Sequence, residues 1–198
     1  MQLSAVQRIL GILLMVFSLT LIPPLIMALW LGDEALDAFA TAFAITFGAG
    51  LAAWLPVRRR LKELKLRDGF VVVVMFWTVL TLTGSLPFLL SPRPDISVTD
   101  AVFESVSGLT TTGATVITGL DELPRSILYY RQQLQWLGGM GIIVLAVAVL
   151  PMLGIGGMQL YRAETPGPMK DSKLTPRITE TAKALWYLYL ALTLACLS

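Results

Sequence analysis

The chain has 198 residues, 56% of them hydrophobic and 14% charged, with a mean hydropathy of +0.74. Soluble domains average about 25% charged residues, so this balance fits neither a water-soluble globule nor a disordered chain. The net charge of +2, from 15 basic and 13 acidic residues, provides no basic field for nucleic acid. There is no histidine and Cys196 is the single cysteine, which excludes disulfide frameworks, Cys/His zinc sites, histidine-dependent nucleophilic catalysis and histidine-ligated haem within the chain. What remains is an all-α polytopic membrane protein, whose unit is a span of about 20 residues.

The first apolar run, Ile9–Leu31, extends 23 residues without a charge between Arg8 and Gly32-Asp33-Glu34. That is long for the apolar core of a signal peptide and sufficient to span. Pro23 and Pro24 are expected to bend this helix, with neighbouring helices or water taking up the lost backbone bonds. The second run, Ala35–Pro56, follows at once, so the two form an antiparallel hairpin, with Asp37 near the positive end of the second helix. Arg58-Arg59-Arg60, Lys62, Lys65 and Arg67 precede a third run, Phe70–Leu90, of 21 uncharged residues. A fourth, Leu134–Leu153, is entered through Arg131 and three glutamines. The last, Ala184–Ser198, is still apolar at the final residue and reads as the start of a span that continues.

Six basic residues lie between Val57 and Gly69 and five between Tyr161 and Lys183; with Arg8 they place 12 of the 15 on one side if the helices alternate. Basic loops mark the cytoplasmic side, so the N-terminus and both basic segments are expected in the cytoplasm. The run Arg58–Arg67 serves chiefly to fix that topology and is also suited to anionic lipid headgroups.

Residues 91–126, between the third and fourth runs, are unusual for a solvated loop. Ser97-Val-Thr-Asp100 is a helix-start signature, and Ala101, Val102, Val106 and Leu109 then fall on one side. From Asp100 to Leu109 such a helix covers about 15 Å, half the hydrocarbon thickness, so it enters the membrane without crossing it. Gly108-Leu-Thr-Thr-Thr-Gly-Ala-Thr-Val116 follows, and the chain is polar again by Asp121-Glu122. A half-helix going in and an extended strand coming back is the economical reading. Irregular backbone at membrane depth is tolerated only when buried in protein or lining a water-filled cavity.

The residues of that strand suit a dehydrated cation. Successive carbonyl oxygens of small residues can replace the water around a K⁺-sized ion, and threonine adds a hydroxyl while staying narrow. Gly113 is the residue expected to adopt positive φ, letting its carbonyl face with its neighbours. The half-helix would also aim its partial negative end at the ion's approach. An ordinary extracellular loop is the other reading these residues allow.

The run Phe103-Glu-Ser-Val-Ser-Gly-Leu-Thr-Thr-Thr-Gly-Ala-Thr115 resembles the first pore loop of the Trk/Ktr/HKT superfamily of potassium transporters. Tyr130-Arg-Gln-Gln-Leu-Gln-Trp-Leu-Gly-Gly-Met-Gly-Ile-Ile-Val144 resembles the start of the helix after that loop. Gly156-Gly-Met-Gln-Leu-Tyr-Arg-Ala-Glu164 and Pro166-Gly-Pro168 resemble the cytoplasmic segment of the bacterial TrkH branch. The similarity runs from about Arg8 to the end. It implies four helix–pore loop–helix repeats around one pore, as in K⁺ channels, preceded by a two-helix prefix.

Mapped onto this chain, residues 1–57 are the prefix and 69–154 the first repeat, with half-helix 100–109 and filter strand 110–115. Residues 155–183 are a cytoplasmic connector, and 184–198 open a second repeat that is cut short. Three of four filter segments are absent, so the chain is expected to be part of a longer protein. The resemblance further implies potassium uptake across the bacterial inner membrane, with the backbone carbonyls of Thr110, Thr111, Thr112 and Gly113 contacting K⁺, Thr111 and Thr112 foremost. Ala114, Thr115 and Glu104 would support the filter. K⁺ is then cargo, with no organic cofactor bound by this chain, and the implied partners are a second copy in a homodimer and a cytosolic nucleotide-binding regulatory ring of the TrkA type.

Glu104 is the carboxylate expected below the membrane surface, where an ionisable group is a functional candidate. Pairing with Arg131 or bonding backbone behind the filter is favoured over attracting cations. Gly138-Gly139-Met-Gly141 favours close helix packing, and Gly154–Gly157 either that or a flexible exit. An intramembrane enzyme would need a second carboxylate beside Glu104, and none is evident, so no enzymatic activity is expected. A non-conducting assembly or anchoring subunit, or an ion-coupled co-transporter with a midplane site, remains the alternative.

Overall fold

The computed structural model describes residues 3–58, 66–152 and 174–197, and among these the regular structure is entirely helical. In chain order the helices are α1 (Leu3–Leu19), α2 (Ile22–Leu31), α3 (Leu36–Trp54), α4 (Leu66–Gly84), α5 (Leu86–Leu90), α6 (Val98–Leu109), α7 (Arg125–Met152) and α8 (Leu174–Leu197), with single 3₁₀ turns at Leu55–Val57 and Leu120–Glu122. Among the described residues, three segments are long and apolar enough to cross a membrane: Leu3–Leu31, Leu36–Val57 and Val71–Leu90. The chain is therefore an all-α membrane protein. It divides into two compact units, residues 1–135 and 136–198.

In the first unit, Pro23 and Pro24 break the first span where they were expected to. α1 stops at Leu19 and α2 restarts at Ile22 with prolines in its first turn. Pro24 has no N–H to donate to the carbonyl of Thr20. That carbonyl accepts instead from Gln133 Nε2 of α7 at 2.6 Å. The third span is interrupted likewise, between α4 and α5 ahead of Pro87. There the hydroxyl of Tyr130, three residues before Gln133, donates to the carbonyl of Gly84 at 2.8 Å. Tyr130 is fully buried, with its ring centroid 5.5 Å from that of Phe39 and 5.3 Å from that of Phe88.

α1 and α3 run antiparallel in close contact. A Cβ on Gly11 would lie 2.8 Å from the carbonyl oxygen of Gly50, and Gln7 Nε2 donates to the carbonyl of Ala53 at 3.0 Å. Small residues at a crossing let two backbones approach, which is how helices gain packing energy in lipid. The link between α2 and α3 turns on Gly32, whose φ of 63° suits a residue without Cβ. Asp33 follows; its Oδ1 accepts from Ala35 N, and its Oδ2 reaches across the unit to accept from Ser126 N at 3.1 Å, in the first turn of α7. The start of α7 thus anchors each earlier span.

In the second unit, Trp136 Nε1 donates to Thr193 Oγ1 at 3.0 Å and Tyr189 donates its hydroxyl to the carbonyl of Trp136 at 3.1 Å. α8 begins at Leu174, ahead of the apolar run, and its apolar part is Lys183–Cys196. The arginines and lysines from Arg59 to Lys65, the glycines Gly154–Gly157, the similarity segments Gly156–Glu164 and Pro166–Pro168, and most of the 155–183 connector lie outside the described residues.

Candidate functional site

The half-length helix exists and is capped by the expected residues. Ser97, in extended conformation, accepts from the N–H of Asp100 at 3.2 Å and donates its hydroxyl to Asp100 Oδ2 at 2.8 Å. α6 then runs 12 residues to Leu109, about 18 Å and well short of a bilayer. Its buried face keeps Ala101 and Leu109 of the expected apolar side but not Val106. Ala101, Glu104, Ser105 and Gly108 are buried at helical spacing, together with Ser107 and Leu109, whereas Phe103 and Val106 are about 40% exposed. Ser105 Oγ donates to the carbonyl of Thr81 at 2.8 Å, and Gly108 packs on the Leu134 side chain, whose Cβ is 3.0 Å from where a Cβ on Gly108 would stand.

α6 ends in a Schellman turn. Thr111 N donates to the carbonyl of Gly108 and Thr112 N to that of Ser107, both at 3.0 Å. This geometry requires a left-handed residue, and Thr111 supplies it at φ 56°. Positive φ was expected at Gly113, which has φ 74°, but not at a threonine. A β-branched residue there is a genuine outlier, costing about 1–3 kcal/mol that the surrounding structure must offset. Thr112 Oγ1 lies 2.8 Å from Thr110 Oγ1, which itself donates to the carbonyl of Val106.

From Gly113 to Gly119 the chain returns without regular secondary structure, so the expected strand is an irregular segment held by side chains. Ser107 Oγ donates to the carbonyl of Ala114 at 2.6 Å. Glu104 does most of the rest. Its Oε1 accepts from the Thr115 hydroxyl, from Val116 N at 2.8 Å and from Ile117 N at 3.4 Å. Its Oε2 accepts from Arg131 Nε at 3.2 Å, the side chains being 3% and 10% exposed. Glu104 therefore both pairs with Arg131 and bonds backbone, the two structural roles the sequence left open.

Residues Thr110 to Val116 are exposed, Gly113 with nothing within 4 Å of where a Cβ would stand. The carbonyl of Thr110 accepts from the Thr111 hydroxyl at 2.7 Å. Among the described residues no donor reaches the carbonyl oxygens of Thr111, Thr112 or Gly113. The expected site residues are thus contiguous and exposed, Ala114 and Thr115 included, with the buried Glu104 bonded to Thr115. Sequence reasoning missed Ser107, Ser105, Tyr130 and Asp33; the available signal was hydroxyls recurring on the buried side of a short helix.

These features define a helical membrane protein with a short, capped re-entrant-length helix and a pinned return segment. The family model described as "TrkH: Cation transport protein" matches residues 35–198, and the chain belongs to that family of transporters, which are not enzymes. It is similar to the "Trk system potassium uptake protein TrkH" of Halomonas elongata, 64% identical over 99% of this chain and 41% of that protein. The protein of the same name from Escherichia coli K12 is 58% identical over 99% of this chain and 41% of its own length. The crystal structure of the potassium transporter TrkH from Vibrio parahaemolyticus superposes with a TM-score of 0.83 at 58% identity, covering 98% of this chain and 38% of that one. The chain spans about two fifths of the length of these relatives.

Proposed function

We propose that this chain contributes one filter segment to a selective pore through which potassium ions cross the bacterial inner membrane. The observation that carries the reading is the run of unbonded carbonyl oxygens at Thr111, Thr112 and Gly113, exposed and held from behind by Glu104, Thr115 and Ser107. Carbonyls fixed without hydrogen-bond donors are ready to replace an ion's hydration shell. Thr110 joins them as a fourth ligand if the Thr111 hydroxyl, 2.7 Å away, turns off its carbonyl.

On this reading residues 1–57 are the prefix, 69–154 the first helix–pore loop–helix repeat, 155–183 a cytoplasmic connector and 184–198 the opening of a second repeat. The N-terminus faces the cytoplasm. Further repeats complete the filter, two copies form the dimer, and a TrkA-type nucleotide-binding subunit docks from the cytosol. Support comes from membership in the cation-transport family and from relatives named as potassium uptake proteins.

The full-length protein that contains this chain is expected to restore growth of potassium-uptake-deficient bacteria at low external K⁺. Good expression in the membrane without any rescue would contradict the transport reading.

A further inference from the structure

Ser107 is 5% exposed and holds the return segment twice. Its backbone carbonyl accepts from Thr112 N at 3.0 Å, and its hydroxyl donates to the carbonyl of Ala114 at 2.6 Å. The two anchors straddle Gly113, whose φ of 74° lets the chain turn between them. A carbonyl that already accepts a short O–H bond is fixed in direction and has spent part of its field on that proton. The carbonyl of Ala114 is therefore directed at α6, while those of Thr111, Thr112 and Gly113 stay free. We infer that Ser107 is a positioning residue that terminates the run of ion-facing carbonyls at Gly113 by withdrawing that of Ala114, and so sets the discrimination between potassium and sodium.

The inference rests on the transport reading above. Without the hydroxyl, Ala114 can turn its oxygen toward the ion path, adding a ligand and loosening the peptide after Gly113. A loosened, more adaptable cage accommodates the smaller ion better, so the loss falls on selectivity before it falls on rate. A purely structural serine would instead alter stability and rate together, with the ion preference intact.

The test is uptake of radiolabelled rubidium and sodium by proteoliposomes of the full-length protein. S107A is expected to lower the rubidium-to-sodium uptake ratio about fivefold, the factor matching one lost hydrogen bond, more than it lowers rubidium uptake itself. S107T keeps the donor and is expected to retain the wild-type ratio. An unchanged ratio in S107A, or equal losses in S107A and S107T, would overturn the assignment. Should S107A fail to accumulate, S107C decides: its weak donor is expected to give an intermediate ratio, and a wild-type ratio would overturn it. Absence of rubidium uptake by the wild-type protein would instead overturn the transport reading, and this inference with it.

Discussion

Replacing Glu104 by alanine is expected to abolish ion uptake and to lower the thermal stability of the detergent-solubilised full-length protein. Glu104 is 4% exposed, and one of its oxygens receives the Thr115 hydroxyl and the N–H groups of Val116 and Ile117 while the other receives Arg131. Alanine leaves a guanidinium that is 10% exposed without a counter-charge, and Val116 N without its acceptor, while Ile117 N keeps Thr115 Oγ1 at 3.1 Å. Breaking a buried pair from one side costs about 3–5 kcal/mol, a large share of the stability of an ordinary domain. E104Q keeps an oxygen for the backbone and is expected to fall between wild type and alanine. The exchange E104R/R131E restores opposite charges but supplies no acceptor to Val116 N or to the Thr115 hydroxyl, so it is not expected to restore uptake. Recovery in that double variant would reduce Glu104 to an ion-pair partner, and wild-type uptake in E104A would remove it from the site altogether.

The second large effect is expected at Gly113. Its φ of 74° is strained for any residue with a Cβ, although nothing lies within 4 Å to collide with one. G113V therefore costs about 1–3 kcal/mol in backbone strain, tolerable for folding, while it shifts the backbone that sets the direction of the free carbonyls. Rubidium uptake by the full-length variant is expected to drop to background with its elution in size-exclusion chromatography unchanged. G113S, which is smaller, is expected to disturb the ion preference more than T112S, which keeps its hydroxyl. Unaltered uptake in G113V would show that the segment does not face the ions.

The spans were legible because composition and run length determine them directly: uncharged stretches of 20 residues or more have few alternatives in a chain this apolar. The cap at Ser97 was legible for the same local reason, since Ser97 and Asp100 need only each other. The break at Pro23 and Pro24 was legible, but its partner was not. A proline announces an orphaned carbonyl at Thr20, whereas the donor, Gln133, stands 113 residues away and is identified only by the fold.

The buried face of α6 matched expectation at Ala101 and Leu109 but not at Val106, and the reason is physical. In water an apolar stripe marks the inside, but in lipid or among further membrane helices apolar side chains have no such preference. Polarity points inward instead, toward groups that need donors and acceptors. That is why Glu104 and Ser105 are buried while Phe103 and Val106 are not. Thr111 was illegible for another reason: propensity argues against a β-branched residue at positive φ, and only the turn that closes α6 on Thr111 and Thr112 imposes it. The strain there coincides with the hydroxyl that occupies the Thr110 carbonyl, a pairing no local rule contains.

The most direct measurement is anomalous diffraction from crystals of the full-length protein grown in rubidium or thallium salts. Ion density is expected in coordination contact with the backbone oxygens of Thr111, Thr112 and Gly113, and not at the oxygen of Ala114. Ordered protein with no ion beside those three oxygens would contradict the assignment of this segment to the ion path.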